Sequence, residues 1–340
     1  MSSDDLISVA RTMVEPGRGL LAADESNPTI AKRLASIDVE NNEENRLAYR
    51  RLLFTTPDIE KYLSGVILFD ETIRQSAEDG TPLPKLLADK GIIPGIKVDK
   101  GAKDLAGHDG EKVTEGLDGL RDRLAEYHDL GARFAKWRAV IGIGAGMPSR
   151  ACIEANAHAL ARYAGLCQEA NIVPIVEPEV LIDGDHSIET CRAATAETWY
   201  HLFSQMHRQG VLPEGTVLKA SMVISGKACP EQANVEQVAE ETVSLAREYV
   251  PAALPGIVFL SGGQTPVQAT AHLGAMNRMG PHPWHLGFSY ARALQEPVMQ
   301  AWRGNPDNVE AAQKALAHRA HLNSQATLGQ YTSDMESEAA

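Results

Sequence analysis

Short apolar runs that end on polar residues recur along this 340-residue chain: GLLAADES (19–26), GVILFDET (65–72), GIKVDKG (95–101), RFAKWR (133–138), IVPIVEPE (172–179), VLKASMV (217–223), GIVFLSGG (256–263) and HLGFSYAR (285–292). Each has the length of a buried strand. Most are separated by stretches with apolar positions at helical spacing, among them 149–170, 187–209 and 234–250, long enough to cross back over a sheet. Strand alternating with helix predicts a parallel sheet. Eight such units, with no Gly-rich or Ser-rich linker between them, favour a closed (β/α)8 TIM barrel over an open doubly wound sheet. Ahead of the first strand, Leu6, Ile7, Ala10, Met13 and Val14 form one apolar face and predict an extra N-terminal helix. The last stretch, SQATLGQYTSDMESEAA, is small, polar and acidic. The chain therefore reads as one barrel domain over 1–325 followed by a flexible C-terminal tail over 326–340.

Composition narrows the function classes. Hydrophobic residues at 44% give ample material for one large core. A formal net charge of -13 argues against a nucleic-acid or membrane-surface partner, so an anionic ligand has to meet a local positive site. The four cysteines are scattered and lack a C-x-x-C spacing, which indicates neither a disulfide framework nor a zinc site. The first residues carry acids where a signal peptide carries bases, and no apolar run reaches membrane-spanning length. The expectation is a cytoplasmic protein. GIGAG at 142–146 is followed by Met147 where a dinucleotide fingerprint needs a small residue, and His282 and His285 precede the last strand instead of following it. No cofactor and no metal is expected.

The strand ends carry the chemistry. Residues two apart share a face of a strand, which pairs Asp24 with Ser26, Lys136 with Arg138, Glu177 with Glu179 and Lys219 with Ser221. Lys97 and Ser261 come from two further strands. In a barrel these faces converge at the C-terminal mouth, where active sites form. Pointed outward beneath the helices, the same charges would be as costly to bury and would have fewer partners. Lys219 lies inside an apolar strand with Lys136 expected opposite, and burial with a nearby cation favours the neutral amine that a lysine, of ordinary pKa about 10.4, seldom presents. A neutral buried lysine can attack a carbonyl and form a Schiff base. That chemistry needs an acid/base for the carbinolamine and a second base for the substrate, and Glu177 and Asp24 are the candidates.

Anion sites accompany it. In LSGGQTPVQ, Ser261, Gly262 and Gly263 precede a helix capped by Thr265, with Pro266 in its first turn and Gln268 completing a capping box. Arg292 follows the last strand, so one phosphate fits here. Arg138, Lys97, Ser26 and Thr29, on other strand ends, form a second candidate.

With these residues assembled, the chain resembles class I (Schiff-base) fructose-1,6-bisphosphate aldolase. GLLAADES, AKRL, EENR, GIKVDKG, GLDGL, FAKWR, ARYA, IVPIVEPE, DGDH and FLSGGQ are similar to that family's signatures in order, from about Val14 to Thr332. The resemblance implies a metal-independent, cofactor-free lyase of glycolysis and gluconeogenesis acting on a sugar bisphosphate, and a homo-oligomer, commonly a tetramer. It implies that Lys219 forms the imine, that Asp24 takes the C4 hydroxyl proton, and that Glu177 makes and hydrolyses the imine, tuned by Glu179 and Lys136. It implies Ser261, Gly262, Ser289 and Arg292 around one phosphate and Ser26, Thr29, Lys97 and Arg138 around the other. Ala220-Ser221 replaces the Pro-Asn that often follows the Schiff-base lysine, and Ala291 stands at a position often glycine. The ending MESEAA lacks the terminal tyrosine of animal members, so protonation of the enamine is expected to be arranged differently. A sugar-phosphate sensor or scaffold would not need Lys219, Glu177, Asp24 and Lys136 together, and a metal-dependent aldolase would need histidines on strand ends.

Overall fold

Eight parallel strands close into a barrel in a computed structural model that describes residues 3–337. They are β1 (Gly19–Ala23), β2 (Leu63–Leu68), β3 (Ile93–Lys97), β4 (Phe134–Ile141), β5 (Val173–Val180), β6 (Val217–Ala220), β7 (Gly256–Phe259) and β8 (His285–Tyr290). Each falls within or beside one of the apolar runs. Closure is made by β1, where Leu20 is in register with Gly65 of β2 on one side and with Ser289 of β8 on the other.

Alternation divides every strand between two cores. Leu21, Ala23, Ala135, Trp137, Val176, Leu218, Ile257 and Phe259 face the surrounding helices. Leu20, Ala22, Ile67, Phe134, Val173, Ile175, Val217 and Val258 fill the lumen, where Leu6, Ala10, Met13 and Val14 of the helix Ser3–Met13 and its exit pack onto them. The expected N-terminal helix is thus a plug at the N-terminal end of the barrel. Phe134 takes its lumen position because β3 offers no side chain against it: a Cβ on Gly95 would stand 2.2 Å from the ring.

The segment expected to be loose is packed over its described part, 326–337. The helix Val309–Thr327 runs into it and Tyr331 is buried. Tyr331 donates to Glu336 at 2.9 Å, and Glu336 also pairs with Arg319, whose buried guanidinium donates to Thr270 Oγ1 at 2.6 Å. Composition reports none of these long-range anchors. Residues 338–340 of the expected tail lie outside the described residues.

Candidate active site

The lumen residues of four strands become charged one step further toward the mouth. Ala22 is followed two residues on by Asp24, Phe134 by Lys136 and Arg138, Ile175 by Glu177 and Glu179, and Val217 by Lys219. The lower members belong to the plugged apolar layer. The upper ones line a cavity of about 350 Å³. There Lys136 Nζ stands 2.7 Å from Asp24 Oδ2 and 3.4 Å from Glu177 Oε2, while Lys219 Nζ stands 3.2 Å from Glu177 Oε1. Lys136, Glu177 and Lys219 are each at most 4% exposed. The four groups form a chain of alternating charge, so Lys219 does not face Lys136 unscreened, as the sequence suggested: Glu177 lies between them.

Burial alone would push both carboxyls up. For Asp24 the nearby Lys136, Lys219 and Lys97 outweigh it and hold the carboxyl well below the usual range. For Glu177 burial is likewise overcome by Lys136, Lys219 and Arg138, and its carboxyl is lowered. Burial pulls Lys136 down, but Asp24, Glu177 and Asp99 hold it well above an ordinary lysine, so it is a permanent cation. The consequence is directional. Lys136 polarises both carboxylates, and Glu177 is close enough to Lys219 to exchange a proton with it.

The rim carries two polar clusters. On one side Arg138 Nε pairs with Glu179, Lys97 Nζ lies 3.2 Å from Asp99 Oδ1, and the hydroxyls of Ser26 and Thr29 are 3.2 Å apart. On the other lie Ser261, Gly262, Ser289 and Arg292. Gly262 and Gly263 have φ of +56° and +96°, left-handed conformations that suit glycine and turn the loop back before the helix Pro266–Arg278. Thr265 and Gln268 complete the expected capping box. Among the described residues the buried Ser289 hydroxyl has no hydrogen-bond partner and no carboxylate pairs with Arg292.

Every catalytic and phosphate-site candidate named from the sequence lines this one cavity. Ser221 does not: β6 ends at Ala220, the alternation stops, and the Ser221 hydroxyl donates to Val180 O at 2.8 Å. Sequence reasoning passed over Asp99, Arg33 and Glu25. Asp99 lies two residues beyond Lys97 and follows from the same alternation, and Arg33 lies one helical turn beyond Thr29. Glu25 also lines the cavity and is held by Arg33, Arg50 and Gln295. Among the described residues, no group of three His, Cys, Asp or Glu side chains is placed to hold a metal ion.

A closed barrel with two buried lysines among carboxylates, flanked by two anion-ready rims, suits an enzyme that works on a phosphorylated carbonyl compound. The comparisons agree. The family model for class-I fructose-bisphosphate aldolase matches residues 5–340. The chain is 60% identical over 332 residues to a probable fructose-bisphosphate aldolase class 1 of Xanthomonas campestris, covering 97% of this chain and 99% of that one. It is 52% identical to a cytosolic fructose-bisphosphate aldolase of Arabidopsis thaliana, over 98% of this chain and 93% of that one. The solved fructose-bisphosphate aldolase of Plasmodium falciparum superposes with a TM-score of 0.96 at 48% identity, covering 98% and 97% of the two chains. The chain belongs to the class I fructose-bisphosphate aldolase family. It is a carbon–carbon lyase that cleaves fructose 1,6-bisphosphate to dihydroxyacetone phosphate and glyceraldehyde 3-phosphate through the Schiff base general to that class. No helix of the described residues is long and apolar enough to cross a membrane.

Proposed function

We propose that Lys219 is the Schiff-base residue and that its three charged neighbours divide the proton transfers. Lys219 gives its proton to Glu177 and attacks the C2 carbonyl, and Glu177 returns a proton to the departing carbinolamine hydroxyl. Asp24 takes the C4 hydroxyl proton as the C3–C4 electrons move into the iminium. Glyceraldehyde 3-phosphate leaves, Asp24 gives up the proton it took, the enamine takes one from solvent at C3, and water then releases dihydroxyacetone phosphate. Lys136 holds Asp24 and Glu177 as carboxylates between these steps, and Glu179 orients Arg138. The observation that carries this reading is the 3.2 Å approach of Lys219 Nζ to Glu177 Oε1 on the cavity floor.

Ser261, Gly262, Ser289 and Arg292 are assigned to the C1 phosphate, which the unpartnered Ser289 hydroxyl and unpaired Arg292 support. Ser26, Thr29, Lys97 and Arg138 are assigned to the C6 phosphate. Fructose 1-phosphate separates the two sites because it lacks the second phosphate. Arg138→Ala is expected to raise KM for fructose 1,6-bisphosphate by about tenfold and leave that for fructose 1-phosphate within about twofold, the loss of one charge-assisted contact. Equal effects on both substrates remove the assignment. Cleavage by the wild type is expected to continue in excess EDTA.

The reading includes a cytoplasmic setting, which suits four buried and unpaired cysteines. It also includes a homo-tetramer, for which Tyr200, Val267 and Leu328 are exposed apolar side chains to cover. Sedimentation equilibrium is expected near four times the 36.7 kDa chain mass, and a monomer removes that part.

A further inference from the structure

Three loops meet at Gly263. A Cβ there would stand 2.7 Å from Lys227 Nζ and 3.2 Å from Arg292 Nη2. An ammonium from the loop after β6 and a guanidinium from the end of β8 therefore approach one point on the loop after β7. The missing side chain of Gly263 admits both. Arg292 lines the cavity, while Lys227 stands just outside its lining.

Like charges this close repel, and little offsets them. Lys227 Nζ lies 3.2 Å from Asp183 Oδ1, but those side chains are 46% and 69% exposed, and so open a pair contributes little. Arg292 has no carboxylate partner among the described residues. The backbone beneath Lys227 is well held: the N–H groups of Gly226, Lys227 and Ala228 donate to the carbonyls of His186, Ile182 and Gly184 at 2.8, 2.9 and 2.8 Å. Its backbone is anchored, while its side chain is half-exposed and, among the described residues, held only by the open Asp183 pair. A phosphate monoester carries roughly -1.5 to -2 charge near neutral pH, more than one guanidinium neutralises. Arg292 and Lys227 together match it.

We propose that Lys227 is a further substrate-binding residue, which leaves Asp183 and closes on the C1 phosphate held by Ser261, Gly262 and Arg292. The inference rests on the phosphate assignment above. It gives the ketose and dihydroxyacetone phosphate a contact that glyceraldehyde 3-phosphate, seated at the other rim, does not share. Asp183 competes with the substrate for the ammonium.

The condensation direction tests this, with KM for each triose phosphate measured at saturating amounts of the other for Lys227→Met, Asp183→Asn, the double variant and Arg292→Met. Lys227→Met is expected to raise KM for dihydroxyacetone phosphate by about tenfold and that for glyceraldehyde 3-phosphate by less than about twofold. Asp183→Asn is expected to lower the former by about threefold, an effect that disappears in the double variant. If Arg292→Met raises KM for dihydroxyacetone phosphate while Lys227→Met changes neither value, or raises both equally, Lys227 has no such role and the phosphate assignment stands. If Arg292→Met has no effect either, that assignment fails as well.

Discussion

Lys219→Met is expected to lower cleavage of fructose 1,6-bisphosphate by about 10⁴-fold or more, roughly 5.5 kcal/mol of barrier, because it removes the amine assigned to the covalent route. Methionine matches the length and packing of the stem, so the loss is chemical. Glu177 keeps Lys136 at 3.4 Å, and the negative charge left over is relieved when the carboxyl takes up a proton. Lys219→Arg is expected to fail as completely, since it restores charge but offers no amine that can become neutral. Steady-state cleavage assays with circular dichroism on both variants check this. A folded Lys219→Met protein cleaving within tenfold of the wild type contradicts the assignment.

Asp24→Asn is expected to separate the two halves of the reaction. Carbon–carbon cleavage falls by about 10³-fold, within the range for losing a positioned base, while imine formation between Lys219 and dihydroxyacetone phosphate continues at a comparable rate. The reason is geometric. Asp24 contacts Lys136 at 2.7 Å, whereas the group beside Lys219 is Glu177. Rapid-quench assays of cleavage, set beside borohydride trapping of the imine, measure the two steps independently. Parallel loss of both steps would place Asp24 in imine formation instead. Because its cationic neighbours hold the Asp24 carboxyl well below the usual range, the base form persists at all pH values above about 4, where an unperturbed Asp titrates. An acidic limb of the pH–rate profile at higher pH therefore belongs to another group.

Period-two alternation carried most of the site, because the barrel converts it into depth: Phe134, Lys136 and Arg138 stand at successive levels of one lumen wall, as do Ile175, Glu177 and Glu179. It failed where a strand stopped, at Ser221, and was not carried far enough at Asp99. Other features depend on distant residues and leave no local pattern. Glu25 is oriented by Gln295, 270 positions away, and Arg50 is buried against it. The packing of 326–337 depends on Arg319 reaching both Glu336 and Thr270. In each case composition described the segment, while side chains far along the sequence hold its charged groups in place.

The most direct measurement is reduction of the wild-type enzyme with borohydride in the presence of dihydroxyacetone phosphate, followed by peptide mass mapping. One modified residue per chain, at Lys219, is the expected result. An unlabelled chain, or a label on Lys136 or Lys97 in place of Lys219, would contradict the account.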